Sequence, residues 1–198
     1  MILINSAIFD GAFKASRDYI QPVMRNFIIA YPILLMIENE HNRETLLIAL
    51  LYLLINIFGA FSSRWSHKLE NYCTRSDTPL NYLFLGQAFL LLGTGVFIEM
   101  NLYVVFTLFL LLNISSNLRR PLLLSCLVDE IEEVQRATML SIESQLKSLT
   151  VVILAPLLGL VADLFSIRLM FIFISLFLIV LYVIALRLDT EVNEERRS

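Results

Sequence analysis

The sequence predicts an all-α membrane protein with six transmembrane helices, and three observations carry that reading. Of 198 residues, 58% are hydrophobic and only 17% are charged, whereas a soluble domain holds roughly half apolar and about a quarter charged residues. Mean hydropathy is +0.74. Five clear apolar runs follow one another along the chain, and a sixth at the N-terminus is apolar but striped with polar residues. Since a spanning helix needs about 20 apolar residues, six spans use roughly 120 positions and twelve would use roughly 240. The composition excludes a soluble enzyme, and the length excludes a complete twelve-helix carrier.

The first span, residues 1–21, is the unusual one. At 100° per residue, Ser6, Asp10, Lys14, Arg17 and Gln21 share one face, with Ile8, Phe9, Ala12, Phe13 and Ala15 between them. An ionisable group at the bilayer centre costs at least about 2.5–3.5 kcal/mol, so this face must meet water, a partner helix or an ion partner. Two readings are open. Asp10, Lys14 and Asp18 form a self-neutralising i, i+4 ladder, or the helix lines an aqueous pathway, which Arg17 and Gln21 favour by extending the stripe. The apolar stretch 27–37, interrupted by Pro32, rises only about 16 Å as a helix. It is too short to cross and reads as an interfacial piece or a bent continuation of the first span.

The second and third spans cover residues 46–61 and 80–98, and the fourth covers 102–128. In the fourth, Asn113, Asn117 and Arg120 repeat the i, i+4, i+7 spacing of Asp10, Lys14 and Arg17. Each stripe is followed by a proline, Pro22 or Pro121, where a helix loses a hydrogen bond and can bend. The fifth span, 137–165, has a small-residue stripe (Ser141, Ser144, Ser148, Ala155, Gly159, Ala162) that permits close helix packing. On another face it carries Glu143 and Lys147, read either as a salt bridge or with Glu143 as a proton carrier. Asp10 is the other candidate proton carrier. The sixth span, 169–186, holds no charge and reads as a lipid-facing outer helix. Glycines near the ends of the second and fifth spans, Gly59 and Gly159, strengthen the correspondence between the two triples. Two three-helix groups of this kind, run through the membrane in opposite directions, are the inverted repeats of many secondary transporters. Residues 1–188 thus form one membrane domain, followed by a charged cytoplasmic tail, 189–198.

Nine basic residues fall on one side of this arrangement and three on the other. The positive-inside rule then puts both termini in the cytoplasm and makes the cell membrane the expected location. Net charge is −3, so no basic field points to nucleic acid. Cys73 and Cys126 form no CxxC pair. His41 and His67 lie outside the spans, with no HExxH motif, no GxSxG and no phosphate-binding loop. Neither a metal, a cofactor nor an enzymatic activity is expected, and Ser144 or Ser148 beside Lys147 reads as a packing face rather than a catalytic pair.

Three stretches together resemble the C-terminal six-helix half of a major facilitator superfamily (MFS) transporter. The first is Asp10-Gly11-Ala12-Phe13-Lys14 through Asp18-Tyr19-Ile20-Gln21-Pro22. The second, Gly59 to Lys68, is similar to the family's G-x-x-x-D-R-x-G-R-R loop, keeping Gly59, Arg64 and Lys68 but with Ser63, Ser66 and His67 in place of Asp, Gly and Arg. The third runs from Arg120-Pro121 to Asp163 and includes Arg136-Ala137-Thr138-Met139-Leu140-Ser141, the most specific match. The resemblance implies that the first and fourth spans line a cavity and that two six-helix halves rock about a midplane site. The residues expected at that site are Asp10, Lys14, Arg17, Gln21, Asn113, Asn117 and Arg120. The expected function is secondary transport of a small solute across the lipid bilayer. The partner is a second six-helix half, whether another copy, a separately encoded unit or the upstream part of a longer protein, which Met1 at the start of an apolar span favours. The alternative is a membrane-embedded interaction or scaffold protein without transport.

Overall fold

A computed structural model describes residues 2–30, 39–73, 78–130 and 133–195. Seven helices make up nearly all of them: α1 (Ile2–Arg17), α2 (Ile20–Ala30), α3 (Glu40–Cys73), α4 (Thr78–Phe97), α5 (Leu102–Glu130), α6 (Glu133–Leu164) and α7 (Ile167–Glu195). No strand occurs among the described residues. Four helices contain segments long and apolar enough to cross a membrane, within α3, α5, α6 and α7. Their length and composition mark the chain as a multi-pass membrane protein. α4 has a shorter apolar segment, Asn81–Phe97. α1 has 16 residues, about 24 Å of helix.

Short polar caps and prolines set the helix ends. Asn101 Oδ1 accepts from the Tyr103 and Val104 amides at 3.0 and 3.4 Å, and Ser166 Oγ accepts from Leu169 at 3.1 Å. These groups satisfy amides that have no partner within the helix. The first span breaks at Asp18–Tyr19, where Tyr19 donates back to the Ser16 carbonyl at 3.2 Å and Gln21 to that of Asp18 at 3.2 Å. The break leaves Pro22 in the first turn of α2, where its missing N–H costs nothing. The stretch 27–37 begins as a helical continuation through Ala30; residues 31–38, Pro32 among them, lie outside the described residues. Pro121 and Pro156 remain inside α5 and α6.

The Gly59-to-Lys68 stretch, read as part of a loop, is helical, because α3 runs unbroken from Glu40 to Cys73. Nothing from Ala60 to Cys73 is Gly or Pro, so the helix propagates past the apolar run into a polar extension. The charged tail is likewise helical as far as Glu195.

Tertiary packing pairs α1 with α6, α3 with α5, and α4 with both α7 and α5. The core lies along these seams: Phe9, Ala12 and Ala15 of α1, Ile55 of α3, Phe84, Ala88 and Leu91 of α4, Phe109 and Leu112 of α5, and Met170, Phe171, Ile174 and Leu178 of α7. α7 is therefore not wholly an outer helix. One stripe is buried against α4, while Phe173, Leu176, Val180, Val183 and Ile184 are exposed. α3 and α6 also carry long exposed apolar faces, including Leu50, Leu53, Ile57 and Phe61 on the first and Val152, Ile153, Leu157 and Leu160 on the second. Continuous apolar surface on this scale fits lipid or a protein partner and not water.

Glycines mark the closest approaches. A Cβ on Gly11 would stand 2.6 Å from Thr150 Cβ and 3.0 Å from the Lys147 carbonyl, so α1 meets α6 backbone to backbone. On Gly95 it would lie 2.9 Å from Ile172 Cγ1 and 3.0 Å from Phe171 Cβ, at the α4–α7 seam.

Candidate functional site

The close α1–α6 contact carries Asp10 into the centre of the helix group. Its carboxylate forms an ion pair with Arg119 of α5 and accepts from Lys147 Nζ of α6 at 3.2 Å. One carboxylate thereby ties three helices together. Arg119 is the largest fully buried side chain among the described residues, only 1% exposed. Its Nη1 donates to the Ser6 carbonyl and hydroxyl at 3.2 and 3.3 Å, and its Cζ lies 5.0 Å from the centroid of the Phe84 ring. Phe9 stacks on that ring at a centroid distance of 4.7 Å. A buried guanidinium is tolerable only with such partners.

Beside this network opens a cavity of about 250 Å³ lined by Asp10, Phe13, Lys14, Arg17, Asn113, Ser116, Asn117 and Lys147. Asn117 Nδ2 donates to the Asn113 carbonyl at 2.8 Å and to Asn113 Oδ1 at 3.0 Å. Gln87 of α4 donates to Ser116 Oγ at 3.1 Å. Gly59 of α3 sits against the same asparagines, since a Cβ there would lie 2.7 Å from Asn117 Nδ2. Gly59 thus belongs to this seam and has no loop role.

Of the residues singled out in the sequence, Asp10, Lys14, Arg17, Asn113 and Asn117 are brought together here. Gln21 is not among the lining residues: it is exposed and lies beyond the break at Asp18–Tyr19, which interrupts the regular helical phase that put it on the stripe. The Arg120 and Lys68 side chains lie outside the described residues. Arg64 is exposed on the α3 extension. Glu143 is half-buried on α6 and does not line the cavity. The self-neutralising ladder does not form, because Asp10 is paired across the helix group and the helix ends before Asp18.

The sequence reading missed Arg119, Ser6's part in holding it, and Ser116. Arg119 adjoins Arg120, and a two-residue basic run gives no sign of which member turns inward. The signal available was Arg119's position two helical turns after Leu112, on the apolar face of α5.

No match is found among protein-family models, curated proteins or solved structures.

Proposed function

We propose that this chain is one six-helix half of a secondary carrier for a small solute, working by alternating access. In this reading α1 with α2, then α3 and α4 form one three-helix repeat, and α5, α6 and α7 form the inverted second. The observation that carries the reading is the exchange of partners. The first helix of each triple packs on the second of the other (α1 on α6, α5 on α3), and the third helices pack on each other (α4 on α7). A pseudo-two-fold axis in the membrane plane produces that pattern, and transporters with such repeats hold their solute at the repeat interface.

The cavity between α1 and α5 is the solute site of this proposal. Lys14 is exposed and Arg17 half-exposed along it, a costly surface to present to lipid. A second six-helix unit, another copy or a different half, covers it and closes the pathway. Asp10, shared by Arg119 and Lys147, is the group whose protonation would loosen the tie between α1, α5 and α6. With Arg119 set aside as buried, the basic residues divide eight to three, which supports cytoplasmic termini in a cell membrane, with Arg64 on the cytoplasmic side.

Thiol accessibility tests the proposal. With Cys73 and Cys126 replaced by Ser, Ser116→Cys in intact membranes reacts with a membrane-impermeant thiol reagent, while Val152→Cys on the exposed apolar face of α6 does not. Equal inertness of the two would remove the aqueous pathway and leave the scaffold reading in its place.

A further inference from the structure

We infer that the cavity binds a small organic anion, so that the cargo of the proposed carrier is anionic; the inference rests on that transport reading only for the word cargo. Three features of the cavity converge. Lys14 and Arg17 both line it, and among the described residues neither has a carboxylate within ion-pairing distance. Asp10, the one acid among the described lining residues, is already committed to Arg119 and Lys147. The cavity therefore holds uncompensated positive charge, as a solute carrying negative charge requires.

The third feature is a donor without a partner. Asn113 is only 4% exposed, and its Nδ2 is buried with no hydrogen-bond partner among the described residues. Asn117 donates to the Asn113 Oδ1, so the NH₂ end is the one left over. A buried N–H left without an acceptor is costly, and an anionic acceptor removes that cost. Arg17 adds a planar fork suited to two oxygens of a carboxylate or phosphate. Phe13 supplies an apolar wall, which fits a solute with a carbon body and not a bare inorganic ion. At about 250 Å³ the cavity falls just under the range of about 300–1,000 Å³ typical of small-molecule sites.

The test uses the full chain in membranes, with Ser116→Cys in the background lacking Cys73 and Cys126. Its reaction rates with a sulfonate-bearing and a trimethylammonium-bearing methanethiosulfonate are compared with those of a free thiol. The expected result is at least a tenfold bias toward the anionic reagent, falling to under threefold when Lys14→Gln and Arg17→Gln are combined. Both residues reach the surface, so the variant retains its fold, as its elution profile will verify. Benzoate and phenyl phosphate then slow the labelling, while benzamide at the same concentration does not. Protection by one of the two anions alone identifies carboxylate or phosphate as the preferred head group. An accessible thiol at position 116 with no charge bias, or protection by benzamide equal to that by benzoate, overturns the anion inference and leaves the pathway standing. An inert thiol at that position overturns both.

Discussion

Replacing Asp10 by Asn is the perturbation that most directly probes how the helices are held. Asp10 is 11% exposed and its carboxylate partners are Arg119, at 1%, and Lys147, at 29%. Removing one partner of a buried ion pair costs about 3–5 kcal/mol, because the remaining charge is stranded. In a chain of this length each kcal/mol shifts the unfolding midpoint by about 2–4 °C, so Asp10→Asn lowers Tm by roughly 6–20 °C. Arg119→Met is milder, since Asp10 keeps Lys147 and the guanidinium is replaced by a side chain that packs against Phe84. Lys147→Met is milder still, about 1 kcal/mol or less for a partly solvated partner. The double variant Asp10→Asn with Arg119→Met strands no charge and recovers much of the single-variant loss. Thermal unfolding in a mild detergent, followed by size-exclusion fluorescence, reads all four proteins. Effects of Asp10→Asn and Arg119→Met that add to within about 0.5 kcal/mol would refute the account, as would Arg119→Met being the worst of the three.

Other outcomes follow from the packing. Gly11→Ala places a methyl 2.6 Å from Thr150 Cβ, and overpacking of about 1–3 kcal/mol outweighs the gain in helix propensity, so the same assay reads a Tm lower by a few degrees. Gly86→Ala meets nothing within 4 Å and gains up to about 1 kcal/mol of helix propensity; a loss there would contradict the seam assignments. Arg168 Nη1, in the first turn of α7, donates to Glu99 Oε2 in the α4–α5 connection at 2.6 Å. Both are well exposed, at 42% and 60%, so Glu99→Gln changes stability by less than about 1 kcal/mol, and the difference from the parent vanishes in high salt.

The helical class and the apolar segments of α3, α5, α6 and α7 follow from runs of hydrophobic residues, which need no tertiary information to recognise. Helix partners are another matter. A helix apolar on every side marks no inward face, so the sequence of α7 could not separate Phe171, fully buried, from Phe173, half exposed. The seams are instead set by absent side chains. Gly11 and Gly95 let neighbouring helices approach to distances a methyl forbids, and nothing local distinguishes them from Gly86, which faces open space. The α3 extension was hidden for a related reason. Hydropathy ends with the apolar run, but backbone hydrogen bonding continues until something breaks it, and no Gly or Pro stands between Ala60 and Cys73.

The polar stripe of α1 carries the sharpest form of this distinction. Periodicity locates residues that must avoid lipid, and it groups Asp10, Lys14 and Arg17 on one face. It cannot tell a charge consumed by the fold from one left for a solute, because that depends on which neighbouring helix supplies a counter-charge. α5 supplies Arg119 and α6 supplies Lys147, both to Asp10, so the acid of the stripe becomes a structural tie. Neither helix brings an acid to Lys14 or Arg17 among the described residues, and both remain on the cavity wall. The two fates predict opposite phenotypes. Neutralising Asp10 destabilises the protein whatever solute is present, while neutralising Lys14 and Arg17 leaves Tm within a few degrees and changes which ions enter. A chain in which these two classes of substitution behaved alike would require the whole stripe to serve one purpose, and the division of charge between tie and cavity would be wrong.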